Sequence, residues 1–233
     1  MSNSQFLIFS LPNSNSWYQG SLSEGSNHEG SRVTIQPYQG EAKVYGFAES
    51  EFRQVPLIDL DSAPSKYTAD KTQHKYLVSE AMEVCKFLNG KIVISRCVDV
   101  DFTTTGWNPQ LLNLRSKFPA AFVYLLHCEA FGTWLGATPE TLVKKSGEKF
   151  KTHAVAGTKW DNDPFTQKEF EEQNLVVEAI LKDLELESKS ADPRRELSYG
   201  SIRHLETKIK WESSEDLENV AYKLHPTPAV NGW

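Results

Sequence analysis

The sequence is poor in sulfur, with three cysteines and two methionines in 233 residues. Three cysteines (Cys85, Cys97, Cys128) cannot all pair, and none sits in a CxxC, which excludes a disulfide framework. Buried thiols in a reducing cytoplasm are the simplest expectation. Positive charge is also short: 25 Lys and Arg stand against 31 Asp and Glu, a formal net charge of −6. That balance argues against nucleic acid or an anionic membrane as a partner. No apolar run approaches the roughly 20 residues of a membrane span. Residues 1–5 carry no basic charge and the apolar run over 6–11 is short, so no signal peptide is read there. Nucleotide fingerprints of the GxGxxG or GxxxxGK[ST] type are missing. So are HExxH, an EF-hand loop, zinc-spaced Cys/His pairs and a GxSxG elbow. The chemistry is left to carboxylates, lysines and histidines.

What remains is ordinary for a folded protein, with 39% hydrophobic and 24% charged residues. Strands are expected near 5–11, 33–35 and 43–47, with 13–31 an exposed loop rich in Ser, Asn and Gly. A helix over 71–88 has apolar residues Leu77, Ala81, Val84, Cys85 and Leu88 at 3-to-4 spacing and ends at Asn89-Gly90. The β-branched run 91–100 reads as a buried strand. A short helix at 111–118 precedes an apolar strand at 120–128 and its hairpin partner at 131–137. Strands at 142–145 and 149–155 flank Ser146-Gly147. The next helix opens with Asp163 as N-cap before Pro164, with a second capping box at Thr166 and Glu169, and runs to about 186. Residues 198–210 read as strand and 214–224 as helix. This order lacks regular βαβ alternation, so the expected fold class is α+β, with mainly antiparallel sheet layers and flanking helices. Residues 1–70 are read as a β-rich segment of the same domain that continues over 71–233.

Four places can carry chemistry. Lys91 opens an apolar strand after a glycine stop; it is either a solvated strand-end lysine or a desolvated base. Glu140, in Gly136-Ala137-Thr138-Pro139-Glu140, is either a turn glutamate or a general acid. Glu172 lies four-residue steps from Val176, Ile180 and Leu184, with Glu169 one turn earlier. The two are either a solvated acidic first turn or carboxylates sharing a cation such as Mg²⁺. Ala156-Gly157-Thr158 is either an ordinary turn or a cradle for an anionic oxygen.

Taken in order, KIVISR at 91–96, GATPETL at 136–142, AGT at 156–158 and KEFEEQNLVV at 168–177, with His204-Leu205 and LHPTPA at 224–229, resemble the chorismate-utilising enzymes. That family includes isochorismate, salicylate and anthranilate synthases and aminodeoxychorismate synthase. The resemblance runs from about residue 70 to the last residue. It implies chorismate as the substrate, with Mg²⁺ held by Glu172 and a second glutamate beyond Trp233, whereas Glu169 enters the metal set only from its place one turn earlier on the helix. It implies Lys91 as the base that activates water for attack at C2, and Glu140 as the acid that protonates the departing C4 hydroxyl. Ala156, Gly157, Thr158 and His204 match substrate-contacting positions. Lys91, where the anthranilate branch has glutamine, and Ala156, where the aminodeoxychorismate branch often has lysine, favour the water-adding branch. Gln173 stands where the family often has histidine. Isochorismate for menaquinone or a siderophore is the expected product. Salicylate is the alternative, and a non-catalytic binding protein on the same fold is the alternative of another class. The resemblance also implies a C-terminal remainder beyond Trp233, hence a shortened chain, inactive alone and inclined to self-associate.

Overall fold

The computed structural model describes residues 5–25, 32–35, 43–50, 70–88, 92–94, 96, 98, 107–160, 162–199, 202–225 and 231–232. The chain divides into two compact units, residues 1–62 with 102–139, and 63–101 with 140–233. Among the described residues no helix is long and apolar enough to cross a membrane. Strands pair antiparallel throughout both main sheets, in line with the α+β expectation.

The first unit is one six-stranded sheet. In chain order its strands are β1 (Phe6–Ser10), β2 (Tyr18–Glu24), β3 (Arg32–Ile35) and β4 (Lys43–Ser50). Helices α1 (Lys71–Leu88) and α2 (Trp107–Lys117) follow, with β5 (Val93–Ile94) between them, then β6 (Phe122–Cys128) and β7 (Gly132–Thr138). Of these, α1 and β5 belong to the second unit. The sheet order is β3-β4-β2-β1-β6-β7. Apolar residues cover both of its faces. Ile8, Val123 and Leu125 pack with Trp107 and Leu111 of α2, while Leu7, Leu22, Tyr45 and Cys128 form a second cluster. The strand β2 lies inside the stretch expected to be loop. Its YQGSLSE sequence has little intrinsic strand character, and it is held by ladders to β1 and β4 on both sides.

The second unit continues with β8 (Lys144–Ser146), β9 (Lys149–Lys159), α3 (Gln167–Asp183) and a 3₁₀ turn at Ser188–Ser190. It closes with β10 (Arg195–Tyr199), β11 (Ile202–Glu212), α4 (Leu217–Leu224) and β12 (Asn231–Gly232). The sheet order is β10-β11-β9-β8, and β12 pairs parallel with β5. One face is buried. Phe150, Ala154, Ala156 and Ile209 pack against Val176 and Ile180 of α3 and Val220 and Leu224 of α4. Burying side chains of this size stabilises by about 1.5–3 kcal/mol each.

Helix α1 occupies the expected span, but its covered stripe differs. His74, Val78, Ala81 and Cys85 are half-buried, while Leu77 and Val84 are exposed. Helix α3 starts at Thr166 rather than Asp163. The Glu169 carboxylate accepts hydrogen bonds from the Thr166 N–H (2.8 Å) and O–H (2.7 Å), so the second of the two expected caps forms.

Candidate active site

Strand β9 carries the motif that organises the site. Across the ladder to β11, Ala156 faces Leu205 and Thr158 faces His204, so Gly157 is the extra residue of a β-bulge. Its φ is +71°, a left-handed conformation that favours glycine. A Cβ there would also meet the Glu169 carbonyl oxygen at 3.0 Å, its Cβ at 3.1 Å and Leu205 Cδ1 at 3.3 Å. The AGT segment is therefore a bulge within a continuous strand, pressed against the first turn of α3. Neither of the sequence alternatives, turn or cradle, described it so.

The bulge sets Thr158 beside His204, with Thr158 Oγ1 3.1 Å from His204 Nδ1. Burial holds the His204 imidazole below its ordinary range, so it is neutral near pH 7. The Tyr199 ring lies 6.0 Å from the His204 ring. Burial raises the Tyr199 phenol, and the charges of Glu206 and Glu140 raise it further, which places Glu140 within electrostatic reach. Glu140 follows β7 after Pro139. It keeps exposed surface, yet desolvation by the protein around it lifts its carboxyl above the usual range. The solvent-exposed area tempers that lift, and the direction stands: the environment favours the protonated acid.

Gly136, four residues before Glu140, leaves no open space beside the strand. The Tyr124 ring, opposite in register, comes within 2.8 Å of where a Cβ at 136 would sit. Ala156 is buried with the helix-covered core. Lys91 lies outside the described residues.

On α3 the buried stripe is Glu169, Gln173, Val176 and Ile180, and Glu172 is half-buried beside it. Glu169, Val176 and Ile180 lie on the expected face; the difference is that Gln173 is buried and Glu172 only half-buried. The Glu169 carboxylate is engaged by Thr166 and has Lys159 Nζ at 3.7 Å. Those hydrogen bonds, first from the side chain and then from the backbone of Thr166, hold it below the usual range. Gln173 is 1% exposed and donates to Thr207 Oγ1 at 2.9 Å, tying α3 to β11. The departure at 173 is thus a buried interlock. Glu172 lines a cleft of about 720 Å³ with Lys168 and Glu171 of α3, Val78, Ala81 and Cys85 of α1, and Ile94 of β5.

Among the described residues no group of three or more His, Cys, Asp or Glu side chains is placed to hold a metal. The donor set for a cation on that cleft wall is the half-buried Glu172 carboxylate with the exposed Glu171 next to it. That fits Mg²⁺, which commonly takes one or two carboxylates and completes its shell with water and substrate oxygens.

Tyr199 was missed by the sequence reading, which ran residues 198–210 as one strand. Tyr199 pairs with Ile202, so β10 and β11 are two antiparallel strands, with Gly-Ser between them in the sequence. That dipeptide was the available signal.

Comparison with known proteins gives the family and the fold. Residues 48–233 match the family model described as chorismate binding enzyme. Isochorismate synthase EntC of Escherichia coli K12 is 27% identical over 161 residues, 61% of this chain and 41% of that protein. Isochorismate synthase MenF of the same organism is 26% identical over 204 residues, 77% of this chain and 46% of that protein. The solved structure of MenF, the menaquinone-specific isochorismate synthase, superposes with a TM-score of 0.71 at 16% identity. It covers 96% of this chain and 68% of the solved one, and shows a shared fold. The chain thus spans less than half the length of these two relatives.

Proposed function

The chain belongs to the chorismate-binding enzyme family, and from that premise we propose the chemistry of an isochorismate synthase. In this reading chorismate lies against Thr158, His204 and the Gly157 bulge. Water adds at C2, the double bonds shift, and the C4 hydroxyl leaves as water. The net change is isomerisation. Glu140 donates the proton to the leaving hydroxyl, and Lys91 takes the proton from the attacking water. The Lys91 role rests on the resemblance alone. Glu172 holds Mg²⁺, which when bound screens the carboxylate charge of the substrate. Glu169 keeps α3 in place through Thr166 rather than serving the metal.

The observation that carries the reading is the gathering of Glu140, Tyr199, His204 and Thr158 in one unit, with the Glu140 carboxyl raised. A histidine held toward its neutral form and a carboxyl shifted toward its protonated form, in the same unit, suit proton donation. The test combines chorismate titration with and without Mg²⁺, followed by NMR at Thr158, Tyr199 and His204, with chromatography of the products. Saturable shifts at these residues, lost in Thr158→Val, are expected. Isochorismate formed and abolished in Glu140→Gln assigns the reaction, and saturation without turnover is the outcome expected of a chain inactive alone. Salicylate and pyruvate as products would assign the neighbouring salicylate synthase chemistry. No saturation with chorismate would overturn the reading.

A further inference from the structure

The second unit holds another cleft, of about 550 Å³, at the opposite end of β9 from the bulge. It is lined by Lys144, Ser146, Lys149, Lys151, Lys210 and Trp211, with Phe150 and Glu212 completing the wall. Seven residues of strand separate Lys151 from Thr158, roughly 23 Å. The two sites are therefore distinct.

The register of this cleft is unusual. Lys144 stands opposite Lys151 on one ladder, and Lys151 stands opposite Lys210 on the next. Three ammonium groups therefore form one lateral row across β8, β9 and β11, spanning about 10 Å between outer backbones. Like charges directly opposite each other destabilise a sheet. One residue pair further along β9, His153 stands opposite Lys208. Burial depresses the Lys151 ammonium and Lys208 depresses it further; Glu206 opposes them, and Lys210 and Arg195 add to the depression.

Acids are in excess in this chain, yet they neutralise only one end of the row. Among the described residues Lys144, Lys149 and Lys151 make no ion pair, although Lys149 faces Glu212 in register. Lys210 pairs with Asp192 at 2.6 Å. Glu206, the nearest acid toward the bulge, is committed to His153 at 2.5 Å and to Arg195. The Trp211 ring stacks on Phe150 at 5.2 Å in the helix-covered core, so the lysine row stands on the other face of the sheet.

We propose that the lysine row Lys144–Lys151–Lys210, with Lys149, is a binding site for a small multivalent anion, an oligophosphate or a polycarboxylate. Such a ligand relieves the mutual repulsion of the row by bridging neighbouring ammonium groups. The width of the row selects anions whose charges are spread over several ångströms rather than a monovalent ion. The proposal stands independently of chorismate chemistry.

The experiment titrates the chain with pyrophosphate and, separately, with citrate at constant ionic strength set by sodium chloride, read by NMR and calorimetry. Saturable binding below millimolar concentration is expected for at least one probe, with shifts confined to β8, the start of β9 and the end of β11. Saturation by pyrophosphate alone or citrate alone identifies the phosphate or carboxylate source. Lys151→Gln and Lys144→Gln should each weaken it about tenfold or more, while His204→Ala leaves it unchanged. In the absence of anion Lys151→Gln should raise Tm, because the repulsion is gone. Absence of saturation up to 10 mM of both probes, on the order of the weakest specific affinities, overturns the proposal. So does binding undiminished in Lys151→Gln, or a fall in Tm of that variant without anion.

Discussion

The two antiparallel sheets of this chain are built on opposite plans. The six-stranded sheet has apolar clusters on both faces, and its large proton-affinity shift among described residues is Tyr45, whose phenol is pushed up to about 12 by burial beside Cys128. That group simply stays neutral. The four-stranded sheet buries one face against α3 and α4 and places His153, His204, Glu206, Lys151 and Tyr199 on the other. Every one of those five is shifted. A sheet with both faces packed spends its side chains on cohesion. A sheet packed on one face can present charge and proton chemistry in fixed register.

The sharpest way to break the comparison is a pair of glycines with the same backbone. Gly132 of the first sheet has φ +74° with nothing within 4 Å of an added methyl, whereas Gly157 has φ +71° and three contacts at 3.0–3.3 Å. Gly157→Ala should cost about 2–4 kcal/mol, strain plus overpacking, and Gly132→Ala about 1 kcal/mol, strain alone. Denaturant midpoints decide it; equal losses would mean the bulge is not pressed on α3. Next, Gln173→Ala removes the partner of buried Thr207 and should cost about 1–3 kcal/mol, measured the same way.

Acid should tell the two sheets apart as well. Burial, then Lys151, holds His153 below its ordinary 6.5 despite Glu206, and burial does the same to His204. The folded state therefore prefers the neutral imidazoles. Their contribution is present above pH about 6.5 and is lost as pH falls from there through the folded values. Burial pushes Glu206 up, but the Arg195 hydrogen bond and His153 outweigh it and leave the carboxyl below its usual 4.5. Its contribution is lost only in stronger acid. Hydrogen exchange at pH 7.5, 6 and 5 should show β9 and β11 loosening before β1 and β6, and His153→Gln with His204→Gln should flatten that first stage. The smallest effect expected is Thr166→Ala, about 1 kcal/mol for the lost cap, read from thermal melts.

Much of the framework was legible in residue order. The span of α1, the β6–β7 and β8–β9 hairpins and the Thr166–Glu169 box all follow from local pattern. What escaped depends on partners remote in sequence. Strand β2 exists because β1 and β4 flank it, and Gly20 lies under Phe47. The buried stripe of α3 runs through Glu169, whose carboxylate the cap satisfies, and through Gln173, which the sequence reading left unplaced and which Thr207 satisfies. At the site, Glu140 and the AGT motif were visible. The nature of AGT as a bulge was not, since that is fixed by the pairing of β9 with β11.

The bulge at Gly157 also acts as a parity switch. Before it, the even-numbered residues Phe150, Thr152, Ala154 and Ala156 turn toward the helices. Without the extra residue Thr158 would continue that series into the core. With it, odd and even exchange: Thr158 joins His204 on the open face, and Lys159 turns toward Glu169. A single inserted backbone unit thus delivers a hydroxyl to the site and a cation to the helix cap at once. Deleting Gly157, as distinct from substituting it, would swap inside for outside for the rest of the strand and separate Thr158 from His204 while leaving both residues in the sequence.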